Sequence, residues 1–113
     1  MHERARPGPV PAPLGLEVDR AADRAVVRVA GEIDMANAAA LASTLHGLLD
    51  QGCRTVELDL SDLRFLAAAG LAVLVEHDRR YRDASAELLV LRPSRQCVRL
   101  LAMTGLTEVL TVR

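Results

Sequence analysis

Segments with helical spacing alternate with short β-type runs along most of this 113-residue chain. The first two β-type runs, residues 16–18 and 24–30, are separated by a turn and predict a hairpin. Three further runs, each preceded by a helical segment, cover residues 55–60, 87–91 and 108–112. A helix between two strands supplies the crossover that parallel pairing requires. The alternation therefore predicts one α/β domain with a mostly parallel central sheet, an antiparallel N-terminal edge, and helices packed against the sheet.

The bounds of the first two helices can be predicted from their sequences. Asp34 precedes an alanine-rich stretch, and aspartate is a strong helix N-cap, so we expect the first helix to begin there. Gly52 is expected to end it. Its buried face is predicted from a period of 3.6 residues to hold Ala38, Leu41, Leu45, Leu48 and Leu49. The second helix follows residues 67–70, and we expect its charged run, residues 76–80, to be exposed.

The third strand and the third helix also carry boundary signals. Ser61-Asp62 is predicted to end the strand that starts at Thr55, with Ser61 in a turn hydrogen bond. Ser94 is the predicted N-cap of the third helix, and Gly105 its predicted end. The buried stripe of that helix is predicted to consist of Cys97, Val98 and Leu101.

Composition excludes several classes of function. Fourteen basic and fifteen acidic residues give a net charge of −1, and only 2% of residues are aromatic. Nucleic-acid binding needs a basic surface or aromatic faces on which bases stack, so we expect no nucleic-acid partner. Two cysteines and three histidines are scattered along the chain, which predicts no metal site and no cofactor. No catalytic or phosphate-binding motif is present, so we do not expect an enzyme.

The first thirteen residues differ from the rest of the chain. Prolines occupy alternate positions from 7 to 13, which predicts a disordered Pro-rich tail over 1–13 and a folded domain over 14–113. This tail lacks the apolar core of a secretory signal. The longest apolar run, residues 65–75, is shorter than the roughly 20 residues that span a membrane. We therefore predict a cytoplasmic protein without membrane insertion.

Three segments carry a resemblance to a known family. Gly31-Glu32-Ile33-Asp34 ends the second strand. Asp59-Leu-Ser-Asp-Leu-Arg-Phe-Leu66 leads into Ala67-Ala-Ala-Gly-Leu71, and the segment from Ser94 to Leu106 ends in Leu-Ala-Met-Thr-Gly-Leu. In this order and at these spacings they resemble the STAS domain, the fold of bacterial anti-sigma factor antagonists. The resemblance covers residues 14–113.

This resemblance implies a partner and a switch. Antagonists of this family bind an anti-sigma factor that is a serine kinase of the GHKL ATP-binding fold, and thereby release a sigma factor. Phosphorylation of a serine at the start of the second helix, in a run Asp-Ser-Ser-Gly or Asp-Ser-Thr-Gly, abolishes that binding. Here the run is Ala67-Ala68-Ala69-Gly70, so the position equivalent to the phosphoacceptor is Ala68, which has no hydroxyl. The resemblance therefore implies a constitutive binder of the anti-sigma factor.

The implied interface has alternatives. It would consist of Asp34, Ala67, Ala68, Ala69, Gly70 and Leu71. The three alanines could instead serve only tight packing between strand and helix, and Asp34 could serve only as a cap. A second interpretation is an accessory STAS subunit of a lipid-transport ATPase or of a larger signalling assembly, which loss of the serine fits equally well. A third is a sensor that binds a small molecule at the loop. The oligomeric state is left open.

Overall fold

The computed structural model describes residues 14–113, and the tail predicted over 1–13 lies outside the described residues. Five strands and three helices follow one another in the predicted order. They are β1 (Gly15–Ala21), β2 (Arg24–Ile33), α1 (Ala38–Asp50), β3 (Thr55–Leu66), α2 (Ala68–Asp83), β4 (Glu87–Leu91), α3 (Arg95–Met103) and β5 (Thr111–Val112). No helix within the described residues is long and apolar enough to cross a membrane.

The strands form one sheet in the order β1-β2-β3-β4-β5. β1 pairs antiparallel with β2, and the other three pairings are parallel, which confirms the predicted architecture. Ala25 lies beside Val56, which lies beside Leu88, so the three central strands present matching apolar residues to the core. The N-terminal hairpin turns at Ala22, whose φ of 57° lies in the left-handed region.

A single apolar core joins one face of the sheet to the three helices. Alternate strand residues, such as the paired Val27 and Leu58, are fully buried in it, whereas Arg24 and Arg28 on the opposite face of β2 are exposed. Tyr81 of α2 is fully buried, and its hydroxyl donates a 2.7 Å hydrogen bond to the Leu45 carbonyl of α1. Burial raises the pKa of this phenol. The tyrosine thus fixes the two helices against each other with its polar end satisfied.

Two strand predictions were wrong in extent. β3 does not end at Ser61-Asp62 but continues to Leu66, because the extra residues are absorbed as irregularities in the pairing with β2. The register shifts between Arg28 and Ala30 and again between Gly31 and Glu32. A bulge lets a polar pair sit inside a strand without ending it. Residues 108–112 form a strand only over Thr111–Val112, and a 3-10 turn over Leu106–Glu108 precedes it.

Two burial predictions on the helices were also wrong. Val98 is 51% exposed rather than part of the buried stripe of α3. His77 and Asp78, in the charged run of α2, are buried. The His77 Nδ1–H donates to the Val73 carbonyl, and Arg82 pairs with Asp78 at 3.0 Å. Burial raises the pKa of Asp78, opposed by the nearby Arg82 guanidinium. One side of this charged run therefore packs against the protein, and Glu76, Arg79 and Arg80 form its exposed side.

The predicted helix ends are confirmed at three positions. Gly52 has a φ of 95°, and its N–H donates to the Leu49 carbonyl while the next N–H donates to Leu48, which is a Schellman ending of α1. Gly105 has a φ of 76° immediately after α3. Ser94 caps α3, since its hydroxyl accepts a hydrogen bond from the Cys97 N–H.

Candidate functional site

The two segments singled out in the sequence lie side by side at the carboxyl edge of the sheet. Ile33 and Leu66 are partners in the parallel pairing of β2 with β3, so Asp34 and Ala67 are the next residues to leave the sheet. A hydrogen bond of 2.9 Å from the Ala67 N–H to the Ile33 carbonyl joins the two exits. The structure thus brings together the residues that the sequence placed in one interface. Such an edge, where parallel strands end, is a common location of binding sites.

Asp34 is not the N-cap of α1, contrary to the prediction. A turn intervenes, the N-cap is Asn37, and the helix begins at Ala38. The Asp34 Oδ1 accepts from the N–H groups of Ala36 and Asn37 at 2.9 and 3.0 Å, and the Asn37 Oδ1 accepts from the Asp34 N–H at 2.8 Å. Because two polar residues three positions apart cap each other, the turn is closed from both ends. Asp34 is partly exposed beside it.

α2 begins without a polar cap. Ala67 has the extended conformation typical of an N-cap, with φ −76° and ψ 169°, but it offers no side-chain acceptor. Its carbonyl accepts from the N–H groups of Gly70 and Leu71. The N–H groups of Ala68 and Ala69 have no acceptor within residues 14–113. The start of α2 therefore leaves two backbone donors beside an exposed methyl group, that of Ala68.

Packing explains one of the small residues. Gly70 is buried, and a Cβ at this position would lie 2.8 Å from the Ile33 Cγ2 and still closer to the Leu66 Cδ1. Only glycine lets the first turn of α2 approach the ends of β2 and β3 this closely. Ala69 is half-buried against the core, whereas Ala68 is exposed. Of the three alanines, Ala67 and Ala69 are half-buried, so tight packing accounts for them in part, but it does not account for the exposed Ala68.

Met35 is a further residue of this edge, although the predicted helix start at Asp34 would place it in α1. It lies instead in the turn after Asp34 and is 85% exposed. Leu71, on the first turn of α2, is half-buried. A large apolar residue directly after a turn-forming aspartate was the available signal. Met35, Ala68 and Leu71 thus give this edge a mainly apolar surface. Asp34 adds one carboxylate to it. No cluster of metal-binding side chains occurs within the part of the chain that the structure describes.

Ser61 lies inside β3, five residues before Leu66, and not in the predicted turn, although it forms a local hydrogen bond. Both its N–H and its hydroxyl donate to the Asp59 Oδ1, at 3.0 and 2.8 Å. The Arg92 guanidinium pairs with the other carboxylate oxygen at 2.6 Å. Burial raises the pKa of Asp59, but the Arg92 and Ser61 hydrogen bonds outweigh it and hold the pKa below its usual value. The two cysteines, Cys53 and Cys97, are free and buried.

Comparisons with known proteins agree with this geometry. The "Anti-sigma-B factor antagonist" of Listeria monocytogenes is 26% identical over 101 residues, which cover 88% of this chain and 89% of that protein. The crystal structure of an anti-sigma factor antagonist from Mycobacterium paratuberculosis has a TM-score of 0.78 at 26% identity, and the match covers 91% of this chain and 87% of that one. Unphosphorylated SpoIIAA, an anti-sigma factor antagonist, shares the fold with a TM-score of 0.75 at 17% identity, over 88% of each chain. The family model described as "Mlab, STAS domain" matches residues 16–112, and the chain therefore belongs to the STAS domain family.

Proposed function

We propose that this protein is an anti-sigma factor antagonist, a regulatory binding protein rather than an enzyme. Membership of the STAS family supports this function, together with two relatives that bear the name and match almost the whole chain. The partner that fits the family resemblance is an anti-sigma factor that is a serine kinase of the GHKL fold. Binding it releases a sigma factor in the cytoplasm.

The proposed interface is the carboxyl edge formed by Asp34, Met35 and residues 67–71. The observation that carries this assignment is the exposed methyl of Ala68 at an uncapped helix start, next to the exit of β2. An alanine loses no side-chain entropy on binding, and the free N–H groups beside it can donate hydrogen bonds to a carbonyl or carboxylate of the partner. Met35 adds a flexible apolar contact of a kind that is common at interfaces.

The same position removes the phosphorylation switch of the family. A phosphoserine would bring a charge of about −1.5 to −2 into the interface, which opposes burial. Ala68 has no hydroxyl to phosphorylate, so complex formation is not controlled at this site. We therefore propose a constitutive antagonist, whose activity depends on its abundance or on modification elsewhere.

The first experiment recovers the partner and then measures binding. The purified protein serves as bait in a pull-down from its native cell, with and without ATP and Mg²⁺, and mass spectrometry identifies the captured proteins. Recovery of a kinase-fold anti-sigma factor in both conditions, with the bait unphosphorylated, is expected. Recovery of a lipid-transport ATPase instead would contradict the antagonist function and favour the accessory-subunit interpretation.

Substitution then tests the interface. Ala68→Glu places a fixed charge at the exposed helix start, and we expect at least a tenfold loss of affinity for the captured partner, about 1.4 kcal/mol. Ala84→Glu is the matched control, because Ala84 is exposed at the other end of the 16-residue α2, about 24 Å away. Equal affinity of the two variants, with melting temperatures like the parent, would remove this edge from the interface.

Restoring the family pattern tests the switch. The double variant Ala67→Asp with Ala68→Ser recreates the Asp-Ser start of the family motif. We expect the partner kinase to phosphorylate this variant in ATP and Mg²⁺, and we expect the complex to dissociate as phosphate is incorporated. The unsubstituted chain should stay bound and unlabelled. Release of the partner on phosphorylation of the unsubstituted chain, for example on Ser61, would replace constitutive binding by a switch at another residue.

A further inference from the structure

A groove of about 170 Å³ lies between the end of β3 and helix α3. Its helical wall includes residues spaced i, i+3, i+4 and i+7, namely Gln96, Arg99, Leu100 and Met103, together with the buried Cys97. Phe65 and Arg64 of β3 form the facing wall. We call this feature the α3 groove.

Exposed apolar side chains border the α3 groove. Phe65 is 52% exposed, and Met103 is 75% exposed. Phe65 is the only phenylalanine of the chain, and it remains at the surface while leucine and valine fill the core. Aromatic residues, methionine and arginine are the side chains most enriched where proteins meet. The composition of the groove is thus that of an interface.

The charges of the α3 groove are all positive. Arg64 and Arg99 are its only charged lining residues, and neither forms an ion pair within residues 14–113. An apolar cleft between two unpaired guanidinium groups complements a segment that carries carboxylates on either side of an apolar group.

The size of the groove decides the kind of ligand. Pockets for small molecules and cofactors usually measure about 300–1,000 Å³, whereas an engineered protein cavity of about 150 Å³ holds a single benzene. A groove of about 170 Å³ therefore accepts one large side chain rather than an acyl chain or a nucleotide. We propose that the α3 groove binds an acidic segment of a partner protein, with one Phe or Leu inserted and flanking carboxylates on Arg64 and Arg99.

A synthetic peptide tests this proposal without knowledge of the partner. The probe is fluorescein-labelled Glu-Asp-Glu-Phe-Glu-Glu, titrated with the full chain and followed by fluorescence polarisation. Two matched peptides serve as controls, one with Ala in place of Phe and one with Lys in place of each acidic residue. We expect saturable binding of the first peptide below about 1 mM, at least tenfold weaker binding of both controls, and weakening with added NaCl.

Protein variants locate the binding. Arg99→Glu, and separately Arg64→Glu, should weaken the acidic peptide at least tenfold and improve binding of the lysine peptide. Arg28→Glu is the control, because Arg28 is exposed on the opposite face of the sheet and lies outside the α3 groove. A thermal melt verifies that each variant is folded.

Several outcomes would overturn the proposal. They are absence of binding up to about 1 mM, equal weakening by Arg28→Glu and Arg99→Glu, and equal binding of the Phe and Ala peptides. Displacement of the peptide by laurate at equal concentration would favour a lipid occupant. Concentration-dependent self-association that Arg99→Glu abolishes would favour a second copy of the chain. The peptide assay does not involve the anti-sigma factor, so its failure and that of the proposed function are distinguishable.

Discussion

The N-termini of α2 and α3 differ in whether a side chain caps their free backbone N–H groups. α3 begins at Ser94, whose hydroxyl accepts from the Cys97 N–H and donates to the Leu63 carbonyl at 2.5 Å. α2 begins at Ala67, which has cap geometry but no cap atom. A side-chain cap fixes the start of α3, whereas the start of α2 depends on backbone hydrogen bonds of Ala67 and on the close packing of Gly70. The helix without a cap is the one that starts at the proposed interface, where a partner can complete its hydrogen bonds.

The largest expected effect tests whether packing holds the start of α2. Gly→Ala inside a helix normally stabilises a protein by about 1 kcal/mol. At Gly70 the added methyl meets Ile33 and Leu66, so we expect Gly70→Ala to lower the free energy of unfolding by about 1–3 kcal/mol. Gly47→Ala is the matched control, because nothing lies within 4 Å of its Cβ position, and it should stabilise by about 0.5–1 kcal/mol. Urea denaturation of the two variants checks the opposite signs; a stabilised Gly70→Ala would refute the packing argument.

The next effect tests the cap of α3. Ser94→Ala removes the acceptor for the Cys97 N–H and the donor to the Leu63 carbonyl, so we expect a loss of about 1–2 kcal/mol. Ser43→Ala is the control, since Ser43 is exposed in the middle of α1 and its change should stay within about 0.5 kcal/mol. Both are measured as shifts of the urea midpoint at constant slope. Equal effects would mean that the hydroxyl of Ser94 does not stabilise the helix.

Adding a cap to α2 should remove the difference between the two helices. Ala67 already has the backbone angles of an N-cap, so Ala67→Asp can accept from the N–H groups of the first turn without rearrangement. A carboxylate also interacts favourably with the positive end of the helix. We expect thermal and urea unfolding to show about 1 kcal/mol of added stability. If Ala67→Asp destabilises the fold, then the loop is not free to be capped.

The same contrast shows which features the sequence could predict. Local signals succeeded where one residue acts alone, as Ser94 does as a cap and Gly52 does at positive φ. They failed where two residues act together: Asp34 and Asn37 cap one turn reciprocally, so neither residue alone marks the helix start. The continuation of β3 past Ser61 depends on pairing with β2, a contact distant in sequence.

The element order predicts that the proposed site residues lie close together, but it does not predict which of them are exposed. Asp34 and residues 67–71 meet because parallel strands end at one edge, which follows from the element order alone. The burial of Gly70 and the exposure of Ala68 depend on how α2 sits on Ile33 and Leu66, which no period in the sequence encodes. The α3 groove was missed for the same reason, because its walls come from residues about 30 positions apart.

The smallest expected changes in stability come from substitution of two buried aspartates. Asp59 pairs with a residue near the start of α3, and Asp78 lies in α2. Asp59 pairs with Arg92, which lies two residues before the N-cap Ser94 of α3, and the pKa of Asp59 is lowered from the ordinary value of 3.8. Its contribution to stability is therefore present above that value and is lost as the pH falls through the lowered pKa. Asp78 of α2 has a raised pKa, so its charged form opposes folding, and stability is gained as the pH falls through that pKa.

Substitution of each aspartate by asparagine should change the free energy of unfolding at pH 7 in opposite directions. Asp59→Asn keeps the acceptor for Ser61 but removes the charge, and because Arg92 is largely exposed we expect a loss of only about 1 kcal/mol. That loss should shrink as the pH falls below 3.8 and through the lowered pKa of Asp59, where this carboxylate becomes protonated in the folded protein. Asp78→Asn relieves the burial of a charge and should change stability by no more than about 0.5 kcal/mol, in the stabilising direction. Urea unfolding between pH 7 and pH 3 measures both differences. If both variants lose similar amounts of stability at pH 7, then both carboxylates stabilise the fold as ion pairs. The difference between the capped start of α3 and the uncapped start of α2 would then have no counterpart in these two charged residues.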